Sequence, residues 1–333
     1  MKITKQLNQN QVLKKLTPPE KKAGNNIMQQ CLVVKPTDQV LIVTDPKLEK
    51  KEATIFFESA KQFTKKVKLI SFTGMTDNAQ EPPTAIAKQM TSSDVVFLVT
   101  HYSLSHTQAR KNACQQGARI ASLPGITQNM ILRTLSGNYS QIAKISQKVA
   151  QILTTGNQVT IIAPGGTNLT LSIKTRSAIA DTGLFSQPGD FGNLPAGEAF
   201  VAPLEAKTSG TAVFDGAFAD IKLDQPIKLI IKKGIATKIS GGQAARKLNR
   251  LVNKIGPKAR VIAELGIGTN PTCQLSPNVL EAEKVYGTAH LALGNNATFG
   301  GKNSVPFHSD GIILNPLVAV DGQAIVKDNK IVI

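Results

Sequence analysis

The chain has no tryptophan, and its three cysteines (Cys31, Cys114 and Cys273) stand far apart with no Cys-x-x-Cys among them. Such an odd, scattered set argues against a disulfide framework and against a cysteine-rich structural zinc, and it fits a reducing, cytoplasmic setting. Long apolar runs are missing too, and none approaches the roughly 20 residues of a membrane helix. The opening stretch, MKITKQLNQNQVLKKL, has no apolar core segment, so no signal peptide is expected. Neither a Gly-x-Gly-x-x-G loop nor a P-loop follows the first strand, which sets aside dinucleotide and ATP binding. There is no Gly-x-Ser-x-Gly elbow for a serine nucleophile. Acidic residues are in deficit, 22 against 39 lysines and arginines, for a net charge of +17. These lysines are scattered and seldom neighbour aromatics, so they read as a solvated surface rather than a nucleic-acid face.

With 333 residues and 41% apolar content, the chain suits two globular domains, 1–150 and 151–333. Residues 1–38 look polar and helical, with Leu13 and Leu16 before a proline break. From residue 34 to 125 strands alternate with helices: VLIVT, VKLISF, DVVFLVT and ARIASL are the apolar runs. That order implies parallel βαβ units and an open α/β sheet. His101 and His106 follow the third run at a spacing that shares no helix face, so they are read as helix-entrance residues, with Ser105 or Thr107 as cap. From Gln158 onward the chain is strand-rich, with hairpins at 158–174 and 227–242 and a helix at 241–256. The expected class is α/β, with a Rossmann-like first domain and a mixed second domain built on a largely antiparallel sheet.

Chemistry concentrates between Glu264 and Asp310. Two of the four histidines, His290 and His308, lie there with Glu264, Glu281, Glu283 and Asp310. In an extended segment, His308 and Asp310 project to one face. Glu264 ends the run VIAEL beside a glycine loop, and His290 sits in the small apolar run TAHLALG. Mixed imidazole and carboxylate donors suit a divalent zinc, cobalt, manganese or iron. Glu281 and Glu283, in LEAEKVYG, read as a turn with exposed charges.

The segments NLPAGEAFVAP, AELGIGTNP, GTAHLALG and FHSDGI, in this order, resemble the thermophilic metalloprotease family of aminopeptidase T, most closely its shorter leucyl-aminopeptidase-like branch. SLSHTQAR and ARIASLPGIT resemble the α/β domain of that branch. This resemblance implies a two-metal aminopeptidase (zinc, cobalt or manganese) acting on a peptide substrate, with a homodimer as a possible assembly. Carried over motif by motif, the metal ligands are Glu198, Glu264, His290, His308 and Asp310, with Glu264 doubling as the catalytic proton carrier. Lys302 and Asn303 read first as solvated loop residues, with stabilisation of an oxyanion as the alternative. Three positions depart from the pattern. The family's glutamate pair is Gly197-Glu198 here. The tyrosine expected after His290 is absent, with Ala297 and Phe299 in that region. AELGIGTNP is also similar to ring-opening 2,5-dihydroxypyridine dioxygenases, which use one iron. A histidine is expected there near position 264, and a glutamate favours the hydrolase. The alternatives to the peptidase are thus an iron dioxygenase or a basic binding protein whose site has decayed.

Overall fold

The β-branched runs seen in the first third pair side by side. Val40–Thr44, Val67–Thr73, Val95–Val99, Arg119–Ser122 and Phe191–Asn193 form parallel neighbours. Every residue of Val40–Thr44 and Val95–Val99 is buried, as expected for central parallel strands covered on both faces. Leu41, Val43, Ile70, Phe72, Val96 and Leu98 supply the core against Ile86, Met90, Ala109 and Ala113 of two helices, Thr84–Thr91 and Gln108–Gln115. Thr107 caps the second of these, its hydroxyl accepting from the Arg110 N–H. The computed structural model describes residues 2–7, 15–219 and 221–333. One expectation fails here: Lys2–Leu7 is not helical but an antiparallel edge strand against Val67–Thr73. Leu13 lies outside the described residues.

Two units emerge, 1–140 with 183–196, and 141–182 with 197–333. The chain therefore passes between them three times, where the sequence suggested one boundary at 150/151. The α/β class holds, with a mostly parallel sheet in the first unit and two antiparallel sheets in the second. No helix among the described residues is long and apolar enough to cross a membrane.

The second unit carries an eight-stranded sheet containing the expected hairpins, Gln158–Ala163 with Thr167–Ser172 and Ile227–Lys232 with Ile235–Ser240. Beside it lies a five-stranded antiparallel sheet, in the order His308–Ile313, Ala289–Gly294, Ile262–Gly268, Glu198–Val201, Ile179–Asp181. Successive side chains along a strand face opposite ways. On this smaller sheet Leu265, Ile267, Ala289, Leu291, Leu293 and Ile313 enter the hydrophobic core with Val159, Leu169, Phe214 and Leu229 of the larger sheet. The alternate positions, among them Glu264, His290, Ala292, His308 and Asp310, are left to the other face.

Gly311 shows how tightly the two sheets meet. A Cβ there would stand 2.4 Å from the Phe214 ring. Gly311→Ala should therefore cost about 1–3 kcal/mol of stability through overpacking. An unchanged urea midpoint would show that the Phe214 ring yields freely.

Candidate metal centre

Register assembles the site. Glu198 pairs with Gly268 and with Asp181, Gly266 with His290, Glu264 with Ala292, and Ala292 with Asp310. Directly paired residues of an antiparallel sheet share a face. Asp181, Glu198, Glu264, His290, His308 and Asp310 consequently converge across five strands although 129 positions separate the first from the last, 310 less 181. The glycines on that face are a packing requirement. A Cβ at Gly266 would lie 2.0 Å from His290 Nε2, so only glycine lets the imidazole cross this strand.

Two groups of donors result: Glu198, Glu264 and His290, and Glu264, His308 and Asp310. Within each, the donor atoms all lie within 4.8 Å of one another. Glu264 belongs to both and divides its oxygens between them. Its Oε1 is 3.5 Å from His290 Nε2 and its Oε2 is 3.4 Å from His308 Nε2. Glu198 Oε2 approaches His290 Nε2 at 3.1 Å, and Asp310 Oδ1 approaches His308 Nε2 at 3.5 Å. The inner group is sealed, with His290 at 0% exposure, whereas the side chain of His308 in the outer group is 32% exposed.

These donors fit a divalent cation. Glu198 Oε2, Asp310 Oδ1 and both ring nitrogens of His290 are buried with no hydrogen-bond partner. His290 Nε2 and Glu198 Oε2 are within reach of each other, but off the line an N–H bond needs. Buried polar atoms left in this way are costly unless something else binds them. His308 is oriented as metal-binding histidines are. Its Nδ1 lies 2.8 Å from the Asn295 carbonyl oxygen, which can only accept. Nδ1 must then donate, and the Nε2 lone pair of the neutral ring is turned towards Glu264 and Asp310.

Charge at the site is held in balance by protons when no cation binds. Burial works to raise Glu264, but His290 and His308 beside it more than reverse this and carry it from 4.5 down to about 2. Burial also works against a charge on His290, yet Glu198 and Glu264 push it from 6.5 up to about 10. His308 shifts the same way, with Asp310 and Glu264 outweighing its burial. Glu283 is raised to about 8, by burial first and by Glu198 and Asp310 next, with Lys284 opposing.

All five residues expected as ligands meet here. Glu281 and Glu283, expected as exposed charges, do not behave so: Glu281 is fully buried and accepts from the Gln274 N–H, and the Glu283 side chain is 14% exposed. A four-residue helix, Val279–Ala282, and the turn after it fold this acidic stretch inward. With it comes Lys284, 1% exposed, which sequence reasoning passed over along with Asp181. A lysine is the residue least expected inside, and only its enclosure by carboxylates marks it. Lys302 is exposed and its N–H donates to Glu205. Asn303 is structural, its side-chain amide donating to the Gly294 and Lys258 carbonyls. Phe299, in the region where the tyrosine was expected, sets its edge against His308 and against Phe200, with centroids 5.9 and 5.5 Å apart.

Comparison with known proteins adds the following. Residues 22–333 match the family described as NicX, 2,5-dihydroxypyridine 5,6-dioxygenase. Seven chains of solved structures match the fold. One is 2,5-dihydroxypyridine dioxygenase from Pseudomonas putida KT2440, with a TM-score of 0.79 and 19% identity over 96% of this chain and 98% of that one. Another is wild-type AmpT from Thermus thermophilus, with a TM-score of 0.68 and 14% identity over 95% and 99%. No curated protein matches the sequence. At these identities the two structures establish a shared fold.

The shifts set a pH window for the metal-free protein. The contribution of Glu264 is complete above its ordinary 4.5 and is lost as pH falls towards 2. That of His290 is complete below 6.5 and is lost as pH rises towards 10. The melting temperature of the chelated protein should therefore fall between pH 6.5 and 10. A divalent ion bound by Glu264, His308 and Asp310 should raise it across this range, because His308 binds only as the deprotonated imidazole. A profile that stays flat without the ion would remove His290 from the charge balance.

Proposed function

Since the chain belongs to the 2,5-dihydroxypyridine 5,6-dioxygenase family, we propose that it is a metal-dependent dioxygenase that opens a dihydroxylated pyridine ring. The family match over residues 22–333 is the observation that carries this reading. It also overturns the aminopeptidase expectation and the hydrolase class. The motifs misled because they build the small sheet, and that sheet belongs to a fold this chain shares with both a dioxygenase and AmpT. A shared scaffold does not specify a reaction.

The metal is best held by the outer group, Glu264, His308 and Asp310, where His308 reaches solvent. Divalent iron held there would supply a redox-active centre through which an electron-rich ring can reduce molecular oxygen, the ring itself being the species oxidised. The protein's part is charge and orientation. Glu264 and Asp310 carry the negative charge that neutralises a dication, and the Asn295 carbonyl keeps the His308 ring turned to it. One imidazole with two carboxylates is a more anionic set than the usual two-histidine, one-carboxylate facial triad. Among the described residues the two histidines of this site fall in different donor groups, joined by Glu264. Phe299, standing against His308, offers an aromatic edge for the substrate ring beside the metal. Glu198 and His290 lie beneath, closing the floor.

The test is oxygen consumption by the iron-loaded protein with 2,5-dihydroxypyridine, monitored with loss of the ring's absorbance. Uptake should be abolished by chelation and restored by ferrous iron. Glu264→Gln keeps the shape but removes the charge, and it should lose both bound iron and most activity while staying folded. Iron-loaded wild type that consumes no oxygen with any dihydroxypyridine would overturn the reading.

A further inference from the structure

Lys284 is the only fully buried lysine among the described residues. Its ammonium lies 2.7 Å from Glu198 Oε1 and 2.5 Å from Glu283 Oε1, with Asp181 Oδ2 at 3.7 Å. A buried ammonium persists only with anionic partners, and Glu198 and Asp181 supply them here while Glu283, raised to about 8, adds a close oxygen acceptor. Two of the three, Glu198 and Asp181, are cross-strand partners on the site face of the sheet. The lysine arrives by another route. A Cβ at Gly268 would stand 2.1 Å from the Val285 carbonyl oxygen, so that glycine is what allows the 284–285 backbone to lie against the strand.

The two ends of the Glu198 carboxylate have different neighbours. Oε1 is held by the lysine, while Oε2 faces His290 and completes the inner donor group. The inner group thus shares a carboxylate with a fixed positive charge. Among the described residues, none of the outer group pairs with a lysine or arginine, and Asp310 Oδ1 has no hydrogen-bond partner. A dication entering the inner group would meet the ammonium across a single carboxylate, in an interior that screens charge poorly. The outer group presents two carboxylates and an imidazole with no such opposition.

We propose that Lys284 is the built-in second cation of this centre: it occupies Glu198 electrostatically and thereby limits the chain to one divalent ion, held by Glu264, His308 and Asp310. This rests on the metal reading above and goes beyond it, because it gives a positioning residue control over metal count in a site whose donors would otherwise suffice for two. Lys284→Met removes the charge while keeping most of the side-chain volume. Freed from the lysine, Glu198 joins His290 and Glu264 in taking a second ion. Lys284→Arg keeps the charge and with it the single ion.

The experiment is titration of chelated protein with manganese(II), read by calorimetry and by electron paramagnetic resonance, with circular dichroism to confirm folding. Wild type and Lys284→Arg should bind one ion per chain and give the spectrum of an isolated manganese. Lys284→Met should bind two and give a spin-coupled spectrum. Wild type binding two coupled ions would overturn the proposal while leaving the metal reading intact, and wild type binding none would overturn both. A folded Lys284→Met that still binds one ion would equally overturn it. Should that variant fail to fold, the wild-type spectrum decides between one ion and two.

Discussion

Five carboxylates, Asp181, Glu198, Glu264, Glu283 and Asp310, are gathered at one face of a small sheet, each with a side chain 15% exposed or less. Taking that much like charge out of water is prohibitive unless positive charge enters with it. The rest of the second unit answers this constraint. Lys284 is folded inward to meet three of the acids, and His290 and His308 lie between the others. Atoms that remain unbonded, including Asp310 Oδ1 and Glu198 Oε2, are the ones turned towards the donor groups. Of the chain's 39 lysines and arginines, Lys284 is the one buried lysine among the described residues, and it stands where negative charge is densest.

The sheet makes this arrangement possible by division of labour. Its pleat sends Leu265, Ile267, Leu291 and Leu293 into the hydrophobic core and leaves the intervening positions for charge. Small residues on the charged face, Gly266 above all, provide room for imidazole and carboxylate to lie across neighbouring strands. Because the apolar face anchors the register, the site face inherits its geometry from packing elsewhere. A fold does not fix a reaction, and this chain shares its fold with a 2,5-dihydroxypyridine dioxygenase and with AmpT.

Much was legible in the residues alone. The βαβ order of the first unit followed from short β-branched runs alternating with helical spacing, because those periods are local properties. The hairpins at 158–172 and 227–240 could be read from their turn residues for the same reason. His308 and Asp310 could be placed on one face by the two-residue period of a strand. Glu264 and His290 stood out as a histidine and a carboxylate on strand runs beside glycines, whereas Glu198 came from motif resemblance alone, and the motifs proved to report the scaffold rather than the reaction.

Tertiary structure decided the rest. The edge strand Lys2–Leu7 runs through residues that read as polar and helical, because pairing with Val67–Thr73 is a long-range contact. The stretch LEAEKVYG has the composition of a solvated turn, yet Glu281 and Lys284 are buried. Whether a charge can be buried depends on what stands opposite it, and Asp181 and Glu198 stand far away in sequence. The split of the donors into an open outer group and a sealed inner one is likewise a matter of cross-strand register and depth. Sequence determined which side chains were available for chemistry; the fold determined which of them face a cation and which face a lysine.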